Sequence, residues 1–145
     1  MENTVTLRPV IESDLPIFFE QQNDPAAHEI AASRPRGREA FMAHWKDLLA
    51  RKSIIIMTIL HHEEIAGYIL SFTIEGKREV GYWLGRDFWG KGIASQALTQ
   101  FLRLERTRPL YGYAAKQHIG SQRVLEKCGF EPAGEDEIFQ ILVLK

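Results

Sequence analysis

The sequence holds a single cysteine, Cys128, among its 145 residues. One thiol excludes an internal disulfide framework and a cysteine-rich zinc site. An excess of either charge is also lacking: 18 Lys and Arg stand against 19 Asp and Glu, a formal net charge of −1. That balance leaves no electrostatic footprint for nucleic acid or an anionic membrane surface. The longest strongly apolar run, residues 54–60, is far too short to span a bilayer. The first residues, Met1-Glu2-Asn3-Thr4, are polar and acidic and do not read as a secretory leader, so a cytoplasmic protein is the expectation. Repeats, low-complexity tracts and linkers are absent from the sequence. Two standard phosphate loops are missing as well. Gly-Lys-Ser/Thr does not occur, and Gly90-Lys91-Gly92 is followed by Ile93-Ala94-Ser95, out of register with the dinucleotide fingerprint.

What remains is an ordinary globular composition, 45% hydrophobic and 26% charged, in a length that suits one domain over residues 1–145. Residues 5–9 read as a strand. Ser13 or Asp14 is placed to cap a helix with Pro16 in its first turn, and Asn23-Asp24-Pro25 ends it. Residues 26–37 read as irregular, punctuated by Pro35 and Gly37. A second helix carries Phe41, Trp45, Leu48 and Leu49 at helical spacing. Residues 54–60 and 65–74 are rich in β-branched residues and form a hairpin about residues 61–64. A second turn at residues 75–78 leads into a strand over 79–84. A helix follows with Ile93, Ala97, Phe101 and Leu104 on one face. It precedes a strand over 110–115, a helix holding Ser121, Val124, Leu125 and Cys128, and a C-terminal pair of strands over 130–133 and 138–144. Gly129 is placed to cap that last helix. Tight turns imply antiparallel neighbours and helical crossovers imply parallel ones. The fold class is therefore α/β, a mixed, mostly antiparallel sheet of six to seven strands with about four helices on its faces.

The most informative stretch is residues 85–95, between a strand and a helix. Glycines at 90 and 92 permit backbone angles that other residues resist. A helix beginning just after them directs unpaired N–H groups and a positive dipole end outward, which makes an anion site suited to phosphate. Lys91 adds a point charge.

Three segments, Glu79-Val80-Gly81-Tyr82-Trp83-Leu84, Phe88-Trp89-Gly90-Lys91-Gly92-Ile93-Ala94 and the run from Ser121 to Phe130, resemble the GNAT superfamily of acyl-CoA-dependent N-acetyltransferases. The nearest branch is the one that acetylates N-termini of ribosomal proteins. The resemblance implies that acetyl-CoA is the donor, with backbone N–H groups of Trp89, Gly90, Lys91, Gly92, Ile93 and Ala94 holding its pyrophosphate. It implies that Tyr82, Trp83 and Leu84 form the strand edge along which the pantetheine arm pairs. Trp89 stands where the family has Gln or Arg. His118 stands where it has Asn, three residues before the matching Ser121, and is a further candidate for a cofactor contact.

The implied reaction is direct attack of a primary amine, a protein N-terminal α-amine or a small-molecule amine, on the thioester through a tetrahedral intermediate. Glu79 is the candidate base. The family's tyrosine acid has no counterpart, since no tyrosine follows Tyr113, and Ser121 is the candidate donor to the leaving thiolate. Acceptor specificity is expected from residues 26–38, with His28, Glu29, Arg34, Arg36 and Arg38, and from residues 134–139, with Glu135, Asp136 and Glu137. Cys128 is expected to be a buried structural thiol. His61 and His62 lack the further ligands of a metal site, and no metal is expected. A monomer or a homodimer through the last strands both fit. The alternatives are a non-catalytic acyl-CoA-binding module, or a structural α/β domain whose glycines serve only a turn.

Overall fold

The computed structural model describes residues 4–33 and 36–145. Seven strands form one sheet: β1 (Val5–Pro9), β2 (Ile55–His61), β3 (Glu64–Ile74), β4 (Lys77–Leu84), β5 (Leu110–Ala115), β6 (Glu131–Glu135) and β7 (Phe139–Leu144). Their spatial order is β1-β2-β3-β4-β5-β7-β6. All neighbours are antiparallel except β4 and β5. The helices are α1 (Leu15–Gln22), α2 (Pro25–Ala31), α3 (Arg38–Ala50), α4 (Ile93–Phe101) and α5 (Ile119–Lys127). The mixed sheet expected from the alternation of turns and crossovers is present.

Local chemistry explains the two hairpins. His62 and Glu63, between β2 and β3, both have positive φ, as do Glu75 and Gly76 between β3 and β4. Two-residue loops of this kind match the twist of the strands they join. Strand alternation then sorts the core onto two faces. Ile59, Ile69 and Val80 pack under Ile93, Ala97, Leu98 and Phe101 of α4 and Leu125 of α5. Phe18, Phe41 and Trp45 of α1 and α3 pack on the other face with Tyr68. Phe18 and Trp45 lie 5.0 Å apart, and Trp45 meets Tyr68 edge-on at 4.7 Å.

Three sequence expectations need correction. Residues 26–37 are not irregular throughout, since α2 forms with Pro25 in its first turn and Asp24 as its N-cap. A proline at that position loses no helical hydrogen bond, and its fixed φ suits the helix. Asp14 precedes α1 but makes no side-chain cap to it. Its carboxylate instead accepts from Arg8 at 2.8 and 2.9 Å, from the Ile11 N–H at 3.0 Å and from Thr58 Oγ1 at 2.7 Å. It is 1% exposed, and a buried charge takes the strongest partners in reach. Finally, α4 stops at Phe101, so Leu104 leaves the apolar face and is exposed.

A second buried carboxylate ends that loop. Glu105 accepts from Ser71 Oγ at 2.5 Å, Arg78 Nε at 2.7 Å and the Thr107 N–H at 3.0 Å. Arg78 pairs with Leu110 in the β4–β5 ladder. The ion pair therefore clamps the closed end of the sheet's one parallel junction.

Candidate active site

The parallel junction opens at its other end. The β4–β5 ladder holds only Arg78 with Leu110, Glu79 with Tyr111 and Val80 with Gly112. Beyond it β4 stays with β3 as far as Leu84, paired with Gly67, and β5 stays with β7 as far as Ala115, paired with Phe139. The two strands are drawn apart by their outer neighbours. A close approach on one side depends on Gly67, where a Cβ would lie 1.9 Å from the Trp83 carbonyl oxygen. Residues 81–84 and 113–115 thus face each other across a fork without pairing, and a cavity of about 620 Å³ occupies it.

The glycine loop closes one end of the cavity. Gly90 and Gly92 have φ of 73° and 76°, in the left-handed region that costs glycine little. Gly92 is the N-cap of α4, and the first helical bond runs from the Gln96 N–H to the Gly92 carbonyl. The N–H groups of residues 90–95 have no hydrogen-bond partner among the described residues. The sequence assigned Trp89 to this set of donors, but its N–H is engaged with the Arg86 carbonyl at 3.1 Å in the turn before the loop. Its indole N–H donates to the Leu84 carbonyl at 3.0 Å, which fixes the ring as a wall of the cavity. Lys91 does not line the cavity and faces a shallow groove with His61, Asp87 and Phe88. Six N–H donors on an anion-sized turn, followed by an unpaired strand edge, match a ligand with a pyrophosphate and an amide-bearing arm.

Helix α5 forms the far wall. Gly112 admits it closely, since a Cβ there would lie 2.8 Å from Leu125 Cδ2. Ser121 sits one turn before Leu125 on the same face. Close docking brings its Oγ within 2.8 Å of the Tyr82 hydroxyl. Both residues line the cavity. Burial pushes the Tyr82 phenol up to about 12, against a smaller opposing effect of Ser121. The pair is therefore uncharged at neutral pH, with one hydroxyl available to donate into the cavity. This contact joins residues 39 positions apart, and nothing in the sequence pattern announces it.

His118, the N-cap of α5, also lines the cavity, its ring 6.2 Å from Trp89. Burial lowers its pKa and so favours the neutral imidazole. Glu79 is not a lining residue. It lies on the strand face shared with Gly81 and Trp83, one alternation below the cavity floor. Burial raises its carboxyl above the usual 4.5, partly offset by Lys77.

Helix α2 also lines the cavity, through Ala27, Ile30 and Ala31. It is held at both ends. Asp24 pairs with Arg86, and the Glu29 carbonyl accepts from Gln117 Nε2 at 3.0 Å. His28 is buried, with Nε2 on the Gln22 carbonyl at 2.5 Å, Nδ1 on Ser33 Oγ at 2.7 Å, and its ring 4.8 Å from Trp83. Arg38 lies over the Phe19 ring at 5.6 Å, Arg36 lines a separate small crevice, and Arg34 is outside the described residues. In the last hairpin Glu135 pairs with Lys116 at 2.7 Å, and Asp136 accepts from the Ile138 and Phe139 N–H groups. Of residues 134–139 only Phe139 lines the cavity. Cys128 is half-buried, 3.6 Å from Thr99 Oγ1 and from the Ser95 carbonyl, outside the cavity. Sequence reasoning missed α2, Ser95 and the β5 edge. The Asp-Pro start of α2 and the partner strand of a parallel junction were the available signals.

The family model of the acetyltransferase (GNAT) domain matches residues 4–131. No curated protein matches. Solved structures do. The ribosomal-protein α-N-acetyltransferase RimL is 21% identical, with a TM-score of 0.80 over 99% of this chain and 91% of its own. The aminoglycoside acetyltransferase AAC(6')-Ib in complex with coenzyme A is 21% identical, with a TM-score of 0.80 over 97% of this chain and 94% of its own. Spermidine N-acetyltransferase from Vibrio cholerae, with CoA and spermine, is 15% identical, with a TM-score of 0.79 over 97% and 93%. At these identities the likeness is one of fold. With a family match over most of its length and that shared architecture, the chain belongs to the acetyltransferase (GNAT) domain family, whose members are acyl-CoA-dependent N-acetyltransferases.

Proposed function

We propose that this chain moves an acetyl group from acetyl-CoA to a primary amine held in the forked cavity. Acetyl-CoA supplies an activated acetyl thioester. The N–H groups of residues 90–95 hold its pyrophosphate, with the N-terminal dipole of α4 behind them. The open edge at residues 81–84 aligns the amide-bearing arm as an added strand would, with Trp89 and His118 flanking it. Ser121 relays a proton to the departing sulfur and regains one from cavity water, and the Tyr82 hydroxyl orients that relay. Glu79 receives the proton lost by the amine through water, since it stands back from the cavity. The observation that carries the reading is the joining of two features in one cavity: a run of unpaired N–H donors and a strand fork that exposes backbone edges.

Thermal unfolding with and without acetyl-CoA tests it. Ligand at 100 times its dissociation constant adds about 2.7 kcal/mol, a shift of several degrees for a domain of this size. Thiol release on addition of a primary amine is the second expected result. No shift at saturating acetyl-CoA would remove the donor assignment.

A further inference from the structure

The closed end of the β4–β5 junction carries a second concavity, a groove of about 340 Å³. It lies at the far end of the sheet from the glycine loop: Lys77 and Leu84 stand at the two ends of β4, about 23 Å apart along the strand. Lys77, Arg78 and Arg108 line the groove, and no Asp or Glu does so among the described residues. The carboxylates around it do not fill the gap. Glu105 is buried and bound to Ser71, Arg78 and the Thr107 N–H. Asp47 pairs with Arg51. Glu75 and Glu79 flank Lys77 along the chain, and neither makes an ion pair with it among the described residues. Glu131 stands two strands from Tyr111, beyond Val143. With Glu105 set against Arg78, the charges of Lys77 and Arg108 face the groove without a counter-charge. Exposed cations surround them: Lys52 and Arg106 precede the lining residues Ser53 and Thr107, and Lys145 follows Leu144, the ladder partner of Leu110.

Both guanidinium groups are anchored with donors to spare. Arg78 gives Nε to Glu105 at 2.7 Å, Nη1 to Thr73 Oγ1 at 3.1 Å and Nη2 to Ser71 Oγ at 3.2 Å. Arg108 gives only Nη1, to the Glu105 and Thr107 carbonyls at 2.9 and 2.8 Å. A guanidinium has five N–H donors. Arg108 therefore keeps Nε–H and both hydrogens of Nη2, and Arg78 keeps one hydrogen on each Nη. The Lys77 ammonium rests 5.2 Å over the Tyr111 ring, which holds it while leaving its three donors unspent. Like charges held together without an anion repel one another, and a fixed fork of free N–H groups matches the spacing of phosphate oxygens. A carboxylate has oxygens for one such fork. A tetrahedral phosphate has oxygens for both forks and the ammonium together. We infer that this groove binds a phosphate group, as the free ion or as a phosphate monoester, at a site separate from the acetyl-CoA cavity. The inference does not depend on the acetyl-transfer reading.

Backbone amide spectra test it, at neutral pH in a phosphate-free buffer with ionic strength held constant by sodium chloride. One titration uses inorganic phosphate and a second uses Nα-acetyl-phosphoserine amide. Saturable shifts are expected at residues 76–78 and 107–111. Lys77→Gln and Arg108→Gln each remove a charge and keep an amide donor at an exposed position. Each is expected to weaken binding about tenfold, the loss of one charged hydrogen-bond partner, with the urea midpoint in phosphate-free buffer unchanged. Binding of inorganic phosphate alone identifies the ligand as the free ion. Equal or tighter binding of the phosphoserine probe identifies it as a phosphate carried on a larger molecule. No shift with either probe at tens of millimolar, shifts reproduced by sodium chloride, or affinities unchanged in both variants overturn the inference.

Discussion

Replacing Tyr82 by phenylalanine removes one hydroxyl and keeps the ring. That hydroxyl lies 2.8 Å from Ser121 Oγ and is held neutral by burial. Loss of the bond is expected to cost about 1 kcal/mol of stability, since both side chains reach a cavity where water can replace the missing partner. The activity change is more telling. With Ser121 as proton donor to sulfur, Ser121→Ala is expected to lower kcat about 10²-fold, the lower end of general acid catalysis. Tyr82→Phe retains the donor but frees its hydroxyl to rotate, and loss of about 1.4 kcal/mol of orientation is tenfold in rate. The double variant is expected to be no slower than Ser121→Ala, because both changes act on one proton path. The assay is thiol release at saturating acetyl-CoA with an alanyl tripeptide amide as the primary-amine acceptor. KM for acetyl-CoA is expected to stay constant, as befits a group acting only in the transition state. Ser121→Ala turning over at the wild-type rate refutes the donor role. Losses that multiply in the double variant refute the coupling.

Four further outcomes follow from the geometry. Gly112→Ala puts a methyl 2.8 Å from Leu125 Cδ2; it is expected to cost about 1–3 kcal/mol in denaturant melts and to lower kcat by moving Ser121 with α5. Gly92→Ala meets only Gln96 Nε2, at an ordinary 3.9 Å, but keeps a φ of 76°; strain of about 1–2 kcal/mol is expected to weaken coenzyme A affinity about tenfold in a calorimetric titration. Burial pushes the Glu105 carboxyl up, but hydrogen bonds from Ser71 and Arg78 outweigh it and hold the group down from 4.5 to about 2. A depressed carboxylate stabilises the fold above its unfolded value, so about 3 kcal/mol is expected to be lost as pH falls from 4.5 toward 2, and Glu105→Gln is expected to flatten that acid limb in urea melts. Glu79, raised by burial, must be ionised to accept a proton; kcat at saturating acceptor is expected to fall on the acid side at a pH above the ordinary glutamate value, and Glu79→Gln is expected to abolish that limb while the acid limb of kcat/KM, set by ionisation of the acceptor amine, remains.

Much of the architecture was legible because local chemistry and tertiary structure agree. The turns at His62-Glu63 and Glu75-Gly76 separate β-branched runs, and the glycine loop sits where a strand gives way to an amphipathic helix. The fork followed from the family resemblance rather than from periodicity. Helix α2 was hidden because its residues, Pro-Ala-Ala-His-Glu-Ile-Ala, carry little apolar periodicity and precede Pro35 and Gly37, which read as loop. Its stability comes from contacts that no local pattern encodes: His28 against Trp83 and Gln117 on the Glu29 carbonyl. Asp14 looked like a helix cap because aspartate before a helix usually is one. Its burial beside Arg8 and Thr58 depends on the β1–β2 register, which pairs those two residues. The Tyr82–Ser121 contact was equally out of reach, since it needs α5 seated on Gly112. No sequence pattern singled out Glu105, whose clamp on Arg78 closes the junction whose other end makes the site.

Backbone amide spectra recorded during a titration with acetyl-CoA test the central claim most directly. The account predicts saturable shifts concentrated in residues 90–95 and along the fork at residues 81–84 and 113–115, with β1 and β6 unmoved. Shifts confined to another surface, or none at millimolar acetyl-CoA, would contradict it.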